Sequence, residues 1–147
     1  MMLKNCPEHI DLISEHFYIG GLERDVAKHV RRVPEAIRGK AEAHRRYRQQ
    51  LPELAGKDIR IAMDEWNYWH RPYVPEYGEL GCRYYLCDAL GIAAGLHEFF
   101  RHTDIISMAQ YAQTVNVIGC VKATPTDACF AATGLPLMLY RREFGTI

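Results

Sequence analysis

Asp58-Ile59-Arg60-Ile61-Ala62-Met63-Asp64-Glu65-Trp66-Asn67, residues 58–67, is the stretch whose reading decides the fold. Its β-branched and apolar centre favours a strand over a short helix. A second run of the same kind is Ile10-Asp11-Leu12-Ile13-Ser14-Glu15-His16-Phe17-Tyr18, closed by Gly20-Gly21, and a third, shorter one is Val115-Asn116-Val117-Ile118-Gly119. Between the first two in chain order, Val26, Val30, Val33 and Ile37 recur at helical spacing, and Tyr47, Leu51 and Leu54 continue the stripe. Pro34 and Gly39 predict a kink or break within it. Residues 70–81 hold two prolines and two glycines and read as a loop. A long helical region is predicted from about Arg83 to Gln113, marked by Leu86, Leu90, Ala93 and Leu96 and then by Ile105, Met108 and Ala112, with a break and cap at Thr103-Asp104.

The order is therefore strand, helix, strand, helix, strand. Crossovers of dozens of residues join parallel strands and lay helices on the sheet face, which makes the chain α/β. Three parallel strands would leave one face and two edges bare, so residues 1–147 are expected to form a single partial domain, a piece of something larger.

In such folds functional groups gather at the C-terminal ends of the strands. Here those ends carry Ser14-Glu15-His16-Phe17-Tyr18 and Asp64-Glu65-Trp66-Asn67-Tyr68-Trp69-His70. Strict alternation puts Ser14, His16 and Tyr18 on one face, and Ile61, Met63, Glu65 and Asn67 on one face of the neighbouring strand. If both point inward, Glu65 meets His16 and Tyr18. Glu15 and Asp64 then point the other way and are expected to pair with helix groups. A carboxylate among aromatic rings suits sugar chemistry, in which rings stack on the sugar and the carboxylate attacks or stabilises an oxocarbenium-like centre. The competing reading makes Tyr18, Trp66 and Trp69 packing residues and His16 a satisfied structural histidine.

Composition narrows the alternatives. The 147 residues are 48% hydrophobic and 24% charged, with a formal net charge of zero, which describes a globular protein without the basic excess of a nucleic-acid binder. Residues 24–48 do hold nine of the eighteen lysines and arginines against three acids, and this basic helix is expected to be a solvated outer face or an oligomer contact. Five cysteines without a Cys-x-x-Cys pair argue against a disulfide framework or zinc ribbon, and a cytoplasmic location is expected. Seven histidines show no zinc spacing, so no metal and no cofactor are expected. No apolar run is long enough for a membrane span, and the start has no apolar export segment.

The run Ile61 to Trp69 resembles the nucleophile motif of glycoside hydrolase family 51, the α-L-arabinofuranosidases, which reads Asp-Glu-Trp-Asn followed by an aromatic pair. Ile13-Ser14-Glu15-His16-Phe17-Tyr18 is similar to the family's sixth strand, which ends in His-x-Tyr. Asp88-Ala89-Leu90, Arg101-His102-Thr103-Asp104 and Met108 to Ile118 resemble its seventh helix and eighth strand, and Leu137-Met138-Leu139-Tyr140-Arg141-Arg142-Glu143-Phe144-Gly145 the segment leaving the barrel. The resemblance implies a partial TIM (β/α)8 barrel, strands six to eight, of a retaining arabinofuranosidase without the family's C-terminal β-sandwich. It implies Glu65 as nucleophile, Tyr18 as the tyrosine that orients it, and His16, Trp69, Gln113 and Asn67 as substrate-binding residues. The family's acid/base glutamate follows an asparagine, and no Asn-Glu pair occurs here, so an N-terminal barrel partner chain or a homo-oligomer is expected to complete the site. Residues 119–134 and the Arg141-Arg142 pair depart from the family pattern. The expected substrates are arabinose-containing oligo- or polysaccharides, and the isolated chain is expected to be inactive. The alternative is a non-catalytic sugar-binding or regulatory remnant of the same barrel.

Overall fold

The computed structural model describes residues 2–144; Gly145, at the end of the last family-like segment, lies outside them, as do Met1, Thr146 and Ile147. A three-stranded parallel sheet of order β1-β2-β3 carries the architecture, with β1 at Leu12–Ile19, β2 at Arg60–Tyr68 and β3 at Ile106–Tyr111. A short helix α1 (Met2–Asn5) precedes it, α2 (Val26–Gln50) and α3 (Leu86–Arg101) are the crossovers, and a small antiparallel hairpin of β4 (Val121–Ala123) and β5 (Ala128–Phe130) leads into α4 (Gly134–Phe144).

The crossover α2 starts where the side chain of Asp25 accepts from the Lys28 N–H at 3.1 Å, satisfying one of the donors a helix start leaves open. It ends at Leu51, which is extended because Pro52 follows. The predicted break at Pro34 and Gly39 does not occur, and the helix runs through both. Val33 and Ile37, on either side of Pro34, are fully buried, and that packing outweighs the one hydrogen bond proline cannot donate. The buried stripe is also turned from the predicted one: His29, Val33, Ile37, Ala41 and His44 face inward, while Val26 and Tyr47 are exposed.

The helix α3 lies against α2 and β2 at close range because Gly91 and Gly95 present no side chain there. A Cβ on Gly91 would stand 1.9 Å from the Tyr68 hydroxyl, and one on Gly95 would stand 2.5 Å from a Val33 methyl. Between the two helices the buried Glu98 accepts from Arg38 at 2.8 Å and from Arg101 at 3.1 Å. The core so enclosed contains Ile61, Met63, Trp66, Tyr68, Ile92, Phe99 and Ile106. Each such side chain contributes about 1.5–3 kcal/mol of burial. Trp66 packs edge-on against Phe99 and Tyr111, with ring centroids 4.9 and 5.7 Å apart, and is a core residue.

The third strand is not where the sequence reading put it. Residues 106–111 form β3, so the helix predicted to reach Gln113 stops at Arg101, and Val115–Gly119 is a turn. Asn116 and Val117 have φ of 52° and 41°, in the left-handed region, which a regular strand does not adopt, and of this segment only Val115 bridges another strand, at Val121. Thr103-Asp104 does mark a break, between α3 and β3.

Register decides which face each strand residue serves. On β1, Ile13 and Phe17 pack toward the core and Glu15 pairs with Lys40 of α2, which leaves Ser14, His16 and Tyr18 on the opposite, open face. Along the β1–β2 ladder Glu15 stands beside Met63 but His16 beside Glu65. Asp64 is therefore an extra residue, a β-bulge. The bulge shifts the alternation by one: Ile61, Met63, Trp66 and Tyr68 all belong to the helix-side core, while Asp64 and Glu65 both contact residues of the open face. The predicted sharing of one face by Ile61, Met63 and Glu65 is corrected accordingly. Among the described residues β1 and β3 each pair only with β2, so both outer edges of the sheet are unpaired.

Candidate functional site

Glu65 stands near the C-terminal end of β2 with its side chain 47% exposed on the open sheet face. The Tyr18 hydroxyl donates to its Oε2 at 2.6 Å, and His16 Nδ1 lies 3.8 Å from the same oxygen. The parallel register causes this: β1 pairs His16 with Glu65 and Tyr18 with Asn67, so the two β1 side chains flank the carboxylate. Burial, together with the bond to Glu65, holds the Tyr18 phenol well above the ordinary tyrosine range, so it serves as a hydrogen-bond donor. The Trp69 ring meets Tyr18 edge-on with centroids 5.3 Å apart, and its Nε1 donates to the Leu80 carbonyl at 3.3 Å. Glu65, Tyr18, His16 and Trp69 thus form one cluster.

Two predicted substrate residues are placed otherwise. Asn67 is fully buried. Its Nδ2 stands 2.7 Å from the carbonyls of Ala112 and Ile118 and 2.8 Å from the Tyr84 hydroxyl, and its Oδ1 accepts from the Tyr68 N–H at 2.7 Å. The carboxamide ties β2 to the loops after β3 and has no hydrogen left for a ligand. Gln113 is exposed in the loop after β3, and its main-chain oxygen accepts from Cys120. Among the described residues, no hydrogen bond joins its side chain to the Glu65 cluster.

Asp64, expected to pair with helix groups, instead completes the cluster. Its Oδ1 lies 2.8 Å from His16 Nε2, and Ser14 Oγ donates to its Oδ2 at 2.9 Å. Sequence reasoning put Ser14 on the correct face without giving it a role, and it missed Asp64 because alternation counted from Glu65 sends that residue to the wrong face. The adjacent Asp-Glu pair at a strand end was the available signal, since two successive carboxylates are awkward in an unbroken, half-buried strand.

A second polar assembly is buried beneath the end of β2. Asp88, at the start of α3, accepts from the Tyr85 N–H at 2.7 Å, and its Oδ1 lies 2.8 Å from His29 Nε2. His70 Nε2 lies 3.3 Å from the same oxygen, with the Cys82 thiol 3.7 Å from its other ring nitrogen. Tyr68 stacks on His29 at 4.6 Å and donates to the His29 carbonyl at 2.9 Å. His29, Cys87 and Asp88 offer three donor atoms within 4.8 Å of one another. Both ring nitrogens of His29 are nevertheless engaged, by Asp88 and by the Glu23 N–H, so the arrangement works as a hydrogen-bonded clamp on the α3 terminus.

Burial opposes a charge on His70, but the Asp88 carboxylate and the adjacent thiol outweigh it and lift the imidazole to about 9. A base raised in the folded state stabilises it fully below its unfolded value of about 6.5 and loses that contribution as pH rises through about 9. Urea unfolding should therefore show stability falling across that interval. The fall should be absent in His70→Gln, and an equal decline in both proteins would remove His70 as its source.

The basic helix is largely neutralised. Lys28 pairs with Glu23, Arg38 with Glu98, Lys40 with Glu15, Arg45 with Asp104 and Arg48 with Asp58, while Arg32 donates to the carbonyls of Gly20 and Gly21. Six of the nine cations are thus engaged, which leaves little free charge for a phosphate backbone. A cavity of about 430 Å³ between α1, β1 and α2, lined by Leu3, Ile13, Tyr47 and Leu51, is separate from the Glu65 cluster. Among the described residues no helix is long and apolar enough to cross a membrane.

The sequence profile of the α-L-arabinofuranosidase C-terminal domain matches residues 64–143. A probable α-L-arabinofuranosidase C of Aspergillus clavatus is 39% identical over 84 residues, which is 56% of this chain and 16% of that protein. The intracellular exo-α-(1→5)-L-arabinofuranosidase 1 of Bacillus subtilis is 28% identical over 127 residues, 80% of this chain and 25% of that protein. The chain thus spans between a sixth and a quarter of the length of these relatives. Among solved structures, an α-L-arabinofuranosidase of Thermotoga maritima in an arabinose complex superposes with a TM-score of 0.80 at 24% identity, over 93% of this chain and 27% of that one. The GH51 α-L-arabinofuranosidase of Thermotoga petrophila superposes with a TM-score of 0.75 at 25% identity over the same shares.

Proposed function

The chain belongs to the family of α-L-arabinofuranosidase C-terminal domains, and from that premise we propose that it is the nucleophile-bearing part of a retaining α-L-arabinofuranosidase acting on arabinose-containing glycans. The observation that carries this reading is the 2.6 Å hydrogen bond from Tyr18 to Glu65 at the tip of a parallel strand. It holds one carboxylate oxygen, and Oε1 is left to attack. The attack forms a bond from Glu65 to the anomeric carbon while the glycosidic bond breaks and the leaving oxygen takes the electron pair. Water then cleaves the ester and retains the configuration. His16 and Trp69 form the wall beside the furanose ring.

The second carboxyl of a retaining site stands about 5 to 5.5 Å from the nucleophile and protonates the leaving group. In this reading it comes from another polypeptide segment. β1, β2 and β3 act as the sixth, seventh and eighth strands of a (β/α)8 barrel, and the unpaired edges of β1 and β3 receive strands from a partner chain or a second copy. Glu65 then faces the interior of the completed barrel. The five free thiols and the intracellular Bacillus relative support a cytoplasmic place of action.

A leaving group that needs no proton tests the nucleophile without its partner. With 2,4-dinitrophenyl α-L-arabinofuranoside, the chain should release one equivalent of dinitrophenolate and carry an arabinosyl ester on the peptide containing Glu65. Arabinosides with poor leaving groups should remain intact until the partner is added. Reversible arabinose binding with no ester would mean a sugar-binding module, and an ester on another carboxylate would reject Glu65.

A further inference from the structure

We propose that Asp64 is a positioning residue, lodged in the bulge of β2 to hold the imidazole of His16 beside Glu65 with its proton on Nε2. The proposal rests on the reading of Glu65 as nucleophile. A bulge leaves its extra residue outside the ladder, and its usual effect is to re-aim a side chain. Here it aims the Asp64 carboxylate across the open face at β1.

Three contacts close a triangle. Asp64 Oδ1 lies 2.8 Å from His16 Nε2, Ser14 Oγ lies 2.9 and 3.1 Å from the two Asp64 oxygens, and Ser14 Oγ lies 3.1 Å from the same Nε2. The serine has one proton, and the carboxylate takes it. Its oxygen is then an acceptor toward Nε2, as Asp64 is, so both neighbours require the hydrogen on that nitrogen. The opposite nitrogen, Nδ1, is thereby turned to Glu65 Oε2 at 3.8 Å.

Packing does not hold the ring. The His16 side chain is 48% exposed and that of Asp64 37%, so packing covers only part of the imidazole and restrains it weakly. Its orientation depends on the Asp64–Ser14 pair. The arrangement follows the general pattern in which a carboxylate behind an imidazole fixes its tautomer and plane. The contacts of Ser14 and Asp64 run to His16 and to each other, so in this proposal they act through His16.

The test uses the full chain, the dinitrophenyl arabinofuranoside as probe and ¹⁵N-labelled histidine. Asp64→Ala should slow arabinosylation of Glu65 about 10- to 100-fold, as the loss of such an orienting carboxylate does elsewhere. It should also shift the His16 ring nitrogen signals toward those of a tautomer mixture. Asp64→Glu should recover part of the rate, and Ser14→Ala should show a smaller change in the same direction. In a His16→Gln background, Asp64→Ala should cost less than about twofold more, because the two residues act as one unit. Arabinosylation at the wild-type rate in Asp64→Ala, or equal slowing in both backgrounds, overturns the proposal. If the unmutated chain forms no ester, the nucleophile reading falls and the nitrogen signals alone decide: signals unmoved by Asp64→Ala overturn the placement, and shifted ones uphold it.

Discussion

Substituting Glu65 by glutamine should abolish the burst of dinitrophenolate, with a rate loss of about 10⁴-fold or more, the scale seen when a nucleophile is removed from a preorganised site. The fold should be unaffected, because the side chain is half exposed and the Tyr18 hydroxyl, 2.6 Å from Oε2, can donate to a carboxamide oxygen instead. Thermal unfolding of the variant should therefore match the parent. A smaller variant gives a sharper diagnosis. In Glu65→Ala, azide can enter the vacated space, attack the anomeric carbon and expel dinitrophenolate. The arabinosyl azide formed should have the configuration opposite to the substrate. An undiminished burst in Glu65→Gln, or an azide product of unchanged configuration in Glu65→Ala, would mean that the attacking group lies elsewhere.

The largest expected effect on stability lies away from that carboxylate. Asp88→Ala should lower the unfolding free energy by about 3–5 kcal/mol, the cost of breaking a buried ionic pair by removing one partner. The substitution leaves the buried His29 Nε2 and His70 Nε2 without their carboxylate acceptor, takes away the acceptor of the part-buried Tyr85 N–H, and releases the start of α3. Asp88→Asn should cost less, since the remaining oxygen still accepts. Urea midpoints at constant slope provide the measurement. A loss under about 1 kcal/mol for the alanine variant would show that the clamp is dispensable.

Much of the architecture was legible before any coordinates. β1 and β2 fall within two residues of the predicted runs because each joins a short β-branched core to polar ends. The third strand was misread for a definable reason. Ile105, Met108 and Ala112 fit helical spacing as well as they fit nothing else, and a six-residue strand offers too few residues to separate the two periods. The left-handed Asn116 and Val117 that break up Val115–Gly119, and the three-residue strands β4 and β5, arise from tertiary contacts that no local pattern announces.

The cluster was readable in outline, since Glu65, Tyr18, His16 and Trp69 sit together at adjacent strand ends. Two details were hidden. The role of Asn67 depends on the carbonyls of Ala112 and Ile118, more than forty positions away in sequence, which take up its amide. The place of Asp64 depends on one irregularity in register, which puts Asp64 and Glu65 on the same face and shifts the alternation with respect to Met63 from Glu65 onward.

That irregularity has a consequence for how the strand could change. Count the faces from Ile61 onward with Asp64 deleted: Met63, Trp66 and Tyr68 still fall on the helix side, and Glu65 and Asn67 on the other, now in perfect two-residue rhythm. The apolar half of β2 is thus indifferent to losing a single codon, and the Glu65 carboxylate would stay in place. Asp64 is an extra residue that the core does not notice, which makes it separable from the fold in a way that neither of the buried residues flanking the Asp64-Glu65 pair, Met63 and Trp66, could be.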